Sequence, residues 1–137
     1  MTDELYHEKL TQRAEAGRAY GRLEQPDKSV TLDNPLCGDR VTIDLKIVDG
    51  KVAAAGHRTR GCLLCEAASA LIVEQAPGLS LDALAGLTDR VRHFLQKDGP
   101  APSGWSAVEE FAPVRKVRSR QDCVMLPFRA LAQAVRV

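Results

Sequence analysis

Apolar side chains recur along this chain with two different periods. Over residues 3–20, Leu5, Tyr6, Leu10, Ala14, Ala16 and Ala19 alternate with charged residues at roughly helical spacing, which predicts an N-terminal amphipathic helix. Gly21 and the Gln25-Pro26-Asp27 turn close that region. Ser29 to Asp33 then shows the short β-branched alternation of a strand, broken by Asn34-Pro35. From Val41 to Val48 the alternation is strict and places Val41, Ile43, Leu45 and Ile47 on one face of a sheet, with Thr42, Asp44 and Lys46 on the other. Asp49-Gly50 supplies the positive-φ pair of a tight hairpin, so Lys51 to Arg60 should return antiparallel.

After Arg60 the period changes. Leu64, Ala67, Ala68, Leu71 and Ile72 form a helical stripe that begins at Cys62, just past Gly61, and stops at Ala76-Pro77-Gly78. Ser80 is a suitable N-cap for a second helix carrying Leu84, Leu87, Val91 and Leu95, with Gly86 as a point of interruption and Asp98-Gly99-Pro100 as its end. A loop over 101–104 leads to a short helix near Trp105 to Phe111. The pattern places a last helix from about Asp122 to Val135, a boundary chosen to keep Pro127 near its first turn.

Strands first and helices afterwards imply an α+β fold: one domain over 1–137, with an N-terminal helix (1–20), a three-stranded antiparallel sheet (29–60) and a layer of helices (62–137) packed against it. The length suits a single core. Aromatic residues make up only 4% of the chain, so aliphatic side chains and alanine must fill that core.

Charge narrows the partners. Nineteen Lys and Arg against eighteen Asp and Glu produce no long-range field that recommends nucleic acid or an anionic membrane. There is no apolar run of membrane-spanning length, and the first residues are acidic rather than signal-like, which reads as cytoplasmic. In a reducing compartment four cysteines point to metal or thiol chemistry before disulfides.

Taken singly, each cysteine could simply fill the core. Three of them, however, lie at element ends where reactive groups can converge: Cys37 in the Cys37-Gly38-Asp39 loop, Cys62 after Gly61, and Cys123 near the start of the last helix. A helix N-terminus stabilises negative charge, which suits thiolates. Cys37, Cys62 and Cys123 with the Asp39 carboxylate would make a four-ligand set fit for tetrahedral zinc or for iron in a small cluster, and Gly38 and Gly61 would let the backbone turn beside it. Cys62 and Cys65 form a lone CxxC without the second pair a zinc ribbon requires, so Cys65 reads as packing rather than a ligand. His57 reads as a surface or hydrogen-bonded residue. The run Arg115, Lys116, Arg118 and Arg120 reads first as a solvated face, and as a docking surface for an acidic partner in the alternative.

The order Asn34-Pro35-Leu36-Cys37-Gly38-Asp39, then Gly61-Cys62 with Glu66-Ala67-Ala68-Ser69-Ala70, then Cys123 with Leu126 and Ala130-Leu131, resembles the IscU/NifU N-terminal scaffold family over roughly residues 20–137. The resemblance implies an IscU-like α+β fold. It implies that Cys37, Cys62 and Cys123 are scaffold cysteines, that Asp39 keeps a bound [2Fe-2S] cluster labile, and that sulfur comes from a cysteine desulfurase for passage to iron-sulfur acceptor or assembly proteins. Two features resemble the SufU-type branch, whose members bind zinc through the matching residues and act as sulfurtransferases. Asp122 stands where the housekeeping branch usually has histidine, and Cys62 and Cys123 are 61 positions apart (123 − 62), a longer insertion before the last helix. Arg120 resembles an arginine of that branch, and by analogy Cys37 would be the persulfide acceptor. The stretch Thr11 to Ala16 departs from a His-Tyr-x-Asn-Pro segment of many relatives, which touches desulfurase docking.

Overall fold

The computed structural model describes residues 3–36 and 38–136. Helix α1 (Asp3–Arg18) precedes strands β1 (Lys28–Asn34), β2 (Asp39–Val48) and β3 (Lys51–Arg60), which form an antiparallel sheet in the order β1-β2-β3. Helices α2 (Leu63–Gln75), α3 (Leu81–Leu84) and α4 (Leu87–Lys97), a 3₁₀ segment (Ser106–Lys116) and α5 (Arg118–Ala134) follow. The expected α+β arrangement of a three-stranded sheet against helices is therefore what forms. No helix among the described residues is long and apolar enough to cross a membrane.

The β2–β3 hairpin turns through Asp49 and Gly50, both at positive φ, as the Asp-Gly pair requires. Val41, Ile43 and Leu45 are fully buried on the face that meets α2 and α5. Both helices are enclosed on most sides: α5 buries Val124, Met125, Leu126, Phe128, Ala130 and Leu131, and α2 buries a run of small residues, Ala67 to Ala70, where α1 packs across it. Guanidinium groups pin α1 in place. Arg13 pairs with Glu110 at 2.9 Å and with Glu74, and Arg18 pairs with Glu66 at 2.8 Å. The buried His57 bonds the carbonyl of Gly17 at 2.7 Å through Nε2 and the Thr59 hydroxyl at 2.9 Å through Nδ1, so it is a hydrogen-bonded structural residue.

One expected break forms, and two elements depart from the expected pattern. Gly86 adopts φ 80° and separates α3 from α4, which realises the interruption. The short helix near Trp105 is instead an eleven-residue 3₁₀ segment ending at Lys116. Helix α5 starts at Arg118, so Cys123 lies beyond its first turn and Pro127 sits in its interior; the ring cannot donate the helical hydrogen bond to the residue 123 carbonyl. Burial of nearly every apolar side chain on α5 outweighs that lost bond.

The second face of β2 is not solvated either. Residues 21–23 strap across it, directly over Gly56, where an added Cβ would lie 2.8 Å from the Gly21 carbonyl oxygen and the Leu23 nitrogen. Under the strap Asp44 is fully buried and accepts from Arg22 Nε and a terminal guanidinium nitrogen (3.0 Å each), the Ser29 hydroxyl (2.6 Å) and the Leu23 N–H (3.2 Å). Burial alone raises its pKa, but the bonds from Arg22, Ser29 and Leu23 outweigh it and hold the carboxyl below the usual aspartate range. A depressed folded pKa stabilises the fold above the unfolded value of about 4, and the stabilisation disappears as pH falls through the folded value. Asp44→Asn should therefore lose about 2 kcal/mol of urea stability at pH 7, with the gap from wild type closing below about pH 4; a gap independent of pH would contradict this account.

Candidate metal centre

Asn34 and Asp39 pair across β1 and β2, and a tight connection joins them. The Asn34 side-chain oxygen accepts from the Leu36 N–H at 3.2 Å, and the Asn34 backbone carbonyl accepts from the Gly38 N–H at 2.9 Å, with Gly38 at φ 72°. This turn leaves Leu36 nearly fully exposed and delivers Asp39 as the first residue of β2, on the side where β3 ends and α2 begins. Cys37 lies outside the described residues.

Asp39 is only 3% exposed. One carboxylate oxygen accepts from the Cys62 backbone N–H at 3.3 Å, while Oδ2 is buried with no hydrogen-bond partner among the described residues. The close approach depends on Gly61, because a Cβ there would come within 2.7 Å of Asp39 Oδ1. Cys62 is the N-cap of α2 in extended conformation, and its thiol takes no part in capping. Cys123 enters from α5. A carboxylate oxygen of Asp39 and the Sγ atoms of Cys62 and Cys123 all lie within 4.8 Å of one another, drawn from a strand start, a helix cap and a helix interior. They open on a cleft of about 470 Å³ that is also lined by Gly38, Arg60, Gly61, Ser119 and Arg120.

A buried carboxyl oxygen without a hydrogen-bond partner is costly, and a cation held by Asp39, Cys62 and Cys123 would remove that cost. Soft sulfurs beside one hard oxygen suit zinc or iron. Arg60 and Arg120 add positive charge at the rim.

Of the residues expected at the site, Asp39, Cys62 and Cys123 come together, with Gly38, Gly61 and Arg120 in the lining. Cys65 does not join them: it is fully buried one turn into α2. Burial first, and then the negative charges of Asp39, Cys62 and Cys123, push its thiol far up from the usual range. The basic run does not act as one solvated face. Arg115 folds back over the Phe94 ring, 4.0 Å from its centroid, and bonds the carbonyls of Phe94 and Gly99. Arg120 reaches the cleft, and Lys116 and Arg118 are exposed. Arg60 and Ser119 were not expected; the available signal for Arg60 was its place next to Gly61-Cys62 on the same strand face as Arg58.

Residues 5–136 match the family described as NifU-like N terminal domain. Among curated relatives, the chain is 26% identical over 133 residues to the iron-sulfur cluster assembly scaffold protein IscU of Streptococcus pyogenes, covering 96% of this chain and 83% of that protein. It is 23% identical to the zinc-dependent sulfurtransferase SufU of Bacillus subtilis, covering 97% and 90%. Among solved structures, the N-terminal part of a nitrogen-fixing NifU-like protein from Brucella abortus superposes with a TM-score of 0.88 at 31% identity, covering 98% of this chain and 94% of that one.

Replacing Cys65 with alanine should cost about 1 kcal/mol of stability as a small cavity opens, and should leave metal per chain, measured by plasma mass spectrometry, unchanged; loss of metal would make Cys65 part of the centre. From its fold, its cleft and these likenesses, the chain belongs to the NifU-like N-terminal domain family.

Proposed function

We propose that this protein assembles or holds a transient iron-sulfur cluster, receiving sulfur from a cysteine desulfurase and passing the product to acceptor or assembly proteins. The observation that carries the reading is the convergence of Asp39, Cys62 and Cys123 within 4.8 Å of one another, with one Asp39 carboxylate oxygen buried and without a partner among the described residues. Cys37, two residues before Asp39 in the chain, is the fourth ligand in this reading.

Each residue has a physical task. Cys62 and Cys123 supply soft donors, one half-buried at the cleft and one almost enclosed in α5. Asp39 supplies a hard donor that iron holds less tightly than thiolate, which favours release of a cargo cluster. Three thiolates and a carboxylate around a divalent ion leave about two units of negative charge, which Arg60 and Arg120 at the cleft are placed to offset. When bound, iron or zinc would hold these thiols as thiolates and orient them.

A second reading, a zinc-dependent sulfurtransferase, is favoured by the near full-length likeness to the Bacillus subtilis protein and by the α3, α4 and 3₁₀ segments between Cys62 and Cys123. Here the Cys37 thiolate attacks the outer sulfur of the desulfurase persulfide, the S–S bond breaks, and the desulfurase cysteine leaves as thiolate.

Anaerobic incubation with ferrous iron, cysteine and a desulfurase should produce cluster absorbance in the wild type and none in Cys62→Ser or Cys123→Ser. Absence of a cluster together with faster desulfurase turnover by zinc-loaded protein would favour the transferase. Gly61→Ala should weaken metal binding by about 10–100-fold, since its Cβ displaces Asp39, while leaving the circular dichroism spectrum intact; unchanged affinity would remove Asp39 from the centre.

A further inference from the structure

A second hollow lies on the opposite face of the sheet from the helices. Its lining is four arginines and two threonines: Arg22, Arg40, Arg58 and Arg60 with Thr31 and Thr42, around about 260 Å³. Strand register explains the grouping. Thr31, Thr42 and Arg58 form one rung across β1, β2 and β3, and Asp33, Arg40 and Arg60 form the next rung on that face. Arg22 reaches in from the strap.

The charges in this hollow do not balance. Arg22 is paired with Asp44 at 3.0 Å and Arg40 with Asp33 at 2.7 Å. Among the described residues, Arg58 and Arg60 take part in no ion pair, and the lining contains no acidic residue. Two carboxylates thus face four guanidiniums. Like charges gathered in a concavity raise the local potential and the local concentration of anions. Thr31 and Thr42 hydroxyls, 2.7 Å apart, add neutral hydrogen-bonding groups between them.

We propose that this hollow binds a small polyanion bearing two or more carboxylate or phosphate groups. Guanidinium forks match both groups in bidentate fashion. The volume falls just below the roughly 300–1,000 Å³ of sites for drug-sized molecules, so a compact metabolite-sized anion fits. An acidic protein segment fits less well, because the lining offers no aliphatic or aromatic anchor of the kind that carries protein interfaces. Arg60 lines both this hollow and the metal cleft, so a bound anion would neutralise charge at the rim of the centre. The assignment shares Arg60 with the metal cleft and otherwise stands on Arg22, Arg40 and Arg58.

The full chain, labelled with ¹⁵N, is titrated with citrate, with pyrophosphate, and with potassium chloride at matched ionic strength. Saturable shifts at residues 31, 42 and 58 with citrate or pyrophosphate, and none with chloride, are expected. Arg58→Gln should weaken that binding about tenfold, and Arg58→Lys should restore only part of it because the fork is lost, with metal per chain unchanged in both. Equal shifts with chloride, or undiminished affinity in Arg58→Gln, would overturn the proposal. Displacement of citrate by a pentaglutamate peptide at lower concentration would overturn it too, reassigning the hollow to a protein partner.

Discussion

The start of β2 and the start of α2 are joined by one buried carboxylate. Asp39 accepts the Cys62 N–H with one oxygen and leaves the other enclosed and unsatisfied among the described residues, a geometry possible only because residue 61 has no side chain. Everything around it serves that contact. The Asn34 turn sets the height of Asp39 at the sheet edge, the N-cap conformation of Cys62 turns its backbone toward the carboxylate, and α5 brings Cys123 across from 61 residues away (123 − 62). A buried carboxyl oxygen without a partner is costly unless something compensates it. A cation held there would relieve that cost.

The remainder of the fold keeps that joint rigid while leaving it accessible. Core side chains from β2, α2 and α5 fix the three donor-bearing elements relative to each other, and α1 is clamped onto α2 by Arg13 and Arg18. On the far face, the 21–23 strap over Gly56 satisfies Asp44 and frames a cationic hollow. Two buried aspartates of one strand thus meet opposite fates. Asp44 is surrounded by donors from Arg22, Ser29 and Leu23, whereas Asp39 has one oxygen with no partner among the described residues.

Local chemistry carried much of this in plain view. The Asp49-Gly50 hairpin, the alternation of Val41 to Leu45 and the small-residue helix after Gly61-Cys62 can be read because each depends on residues close in sequence. The burial of Asp44 could not be read, since it depends on a strap more than twenty positions earlier passing over Gly56. Helix α5 starts four residues before the boundary that Pro127 suggests, because tertiary burial overrides the usual exclusion of proline from helix interiors. Gathering Cys62 and Cys123 with Asp39 was suggested by motif order, yet the missing hydrogen bond at Asp39 Oδ2 is a property of packing that no spacing encodes. Arg115 lies among basic neighbours in sequence, yet the Phe94 ring and the Phe94 carbonyl hold it away from them.

The most direct test is X-ray absorption at the zinc edge of the freshly purified, metal-loaded chain. The account requires three sulfur scatterers at about 2.3 Å and one oxygen at about 2.0 Å, with the oxygen lost in Asp39→Ala. A shell of oxygen and nitrogen alone, or an unaltered spectrum in that variant, would show that the convergence of these side chains does not make a metal centre.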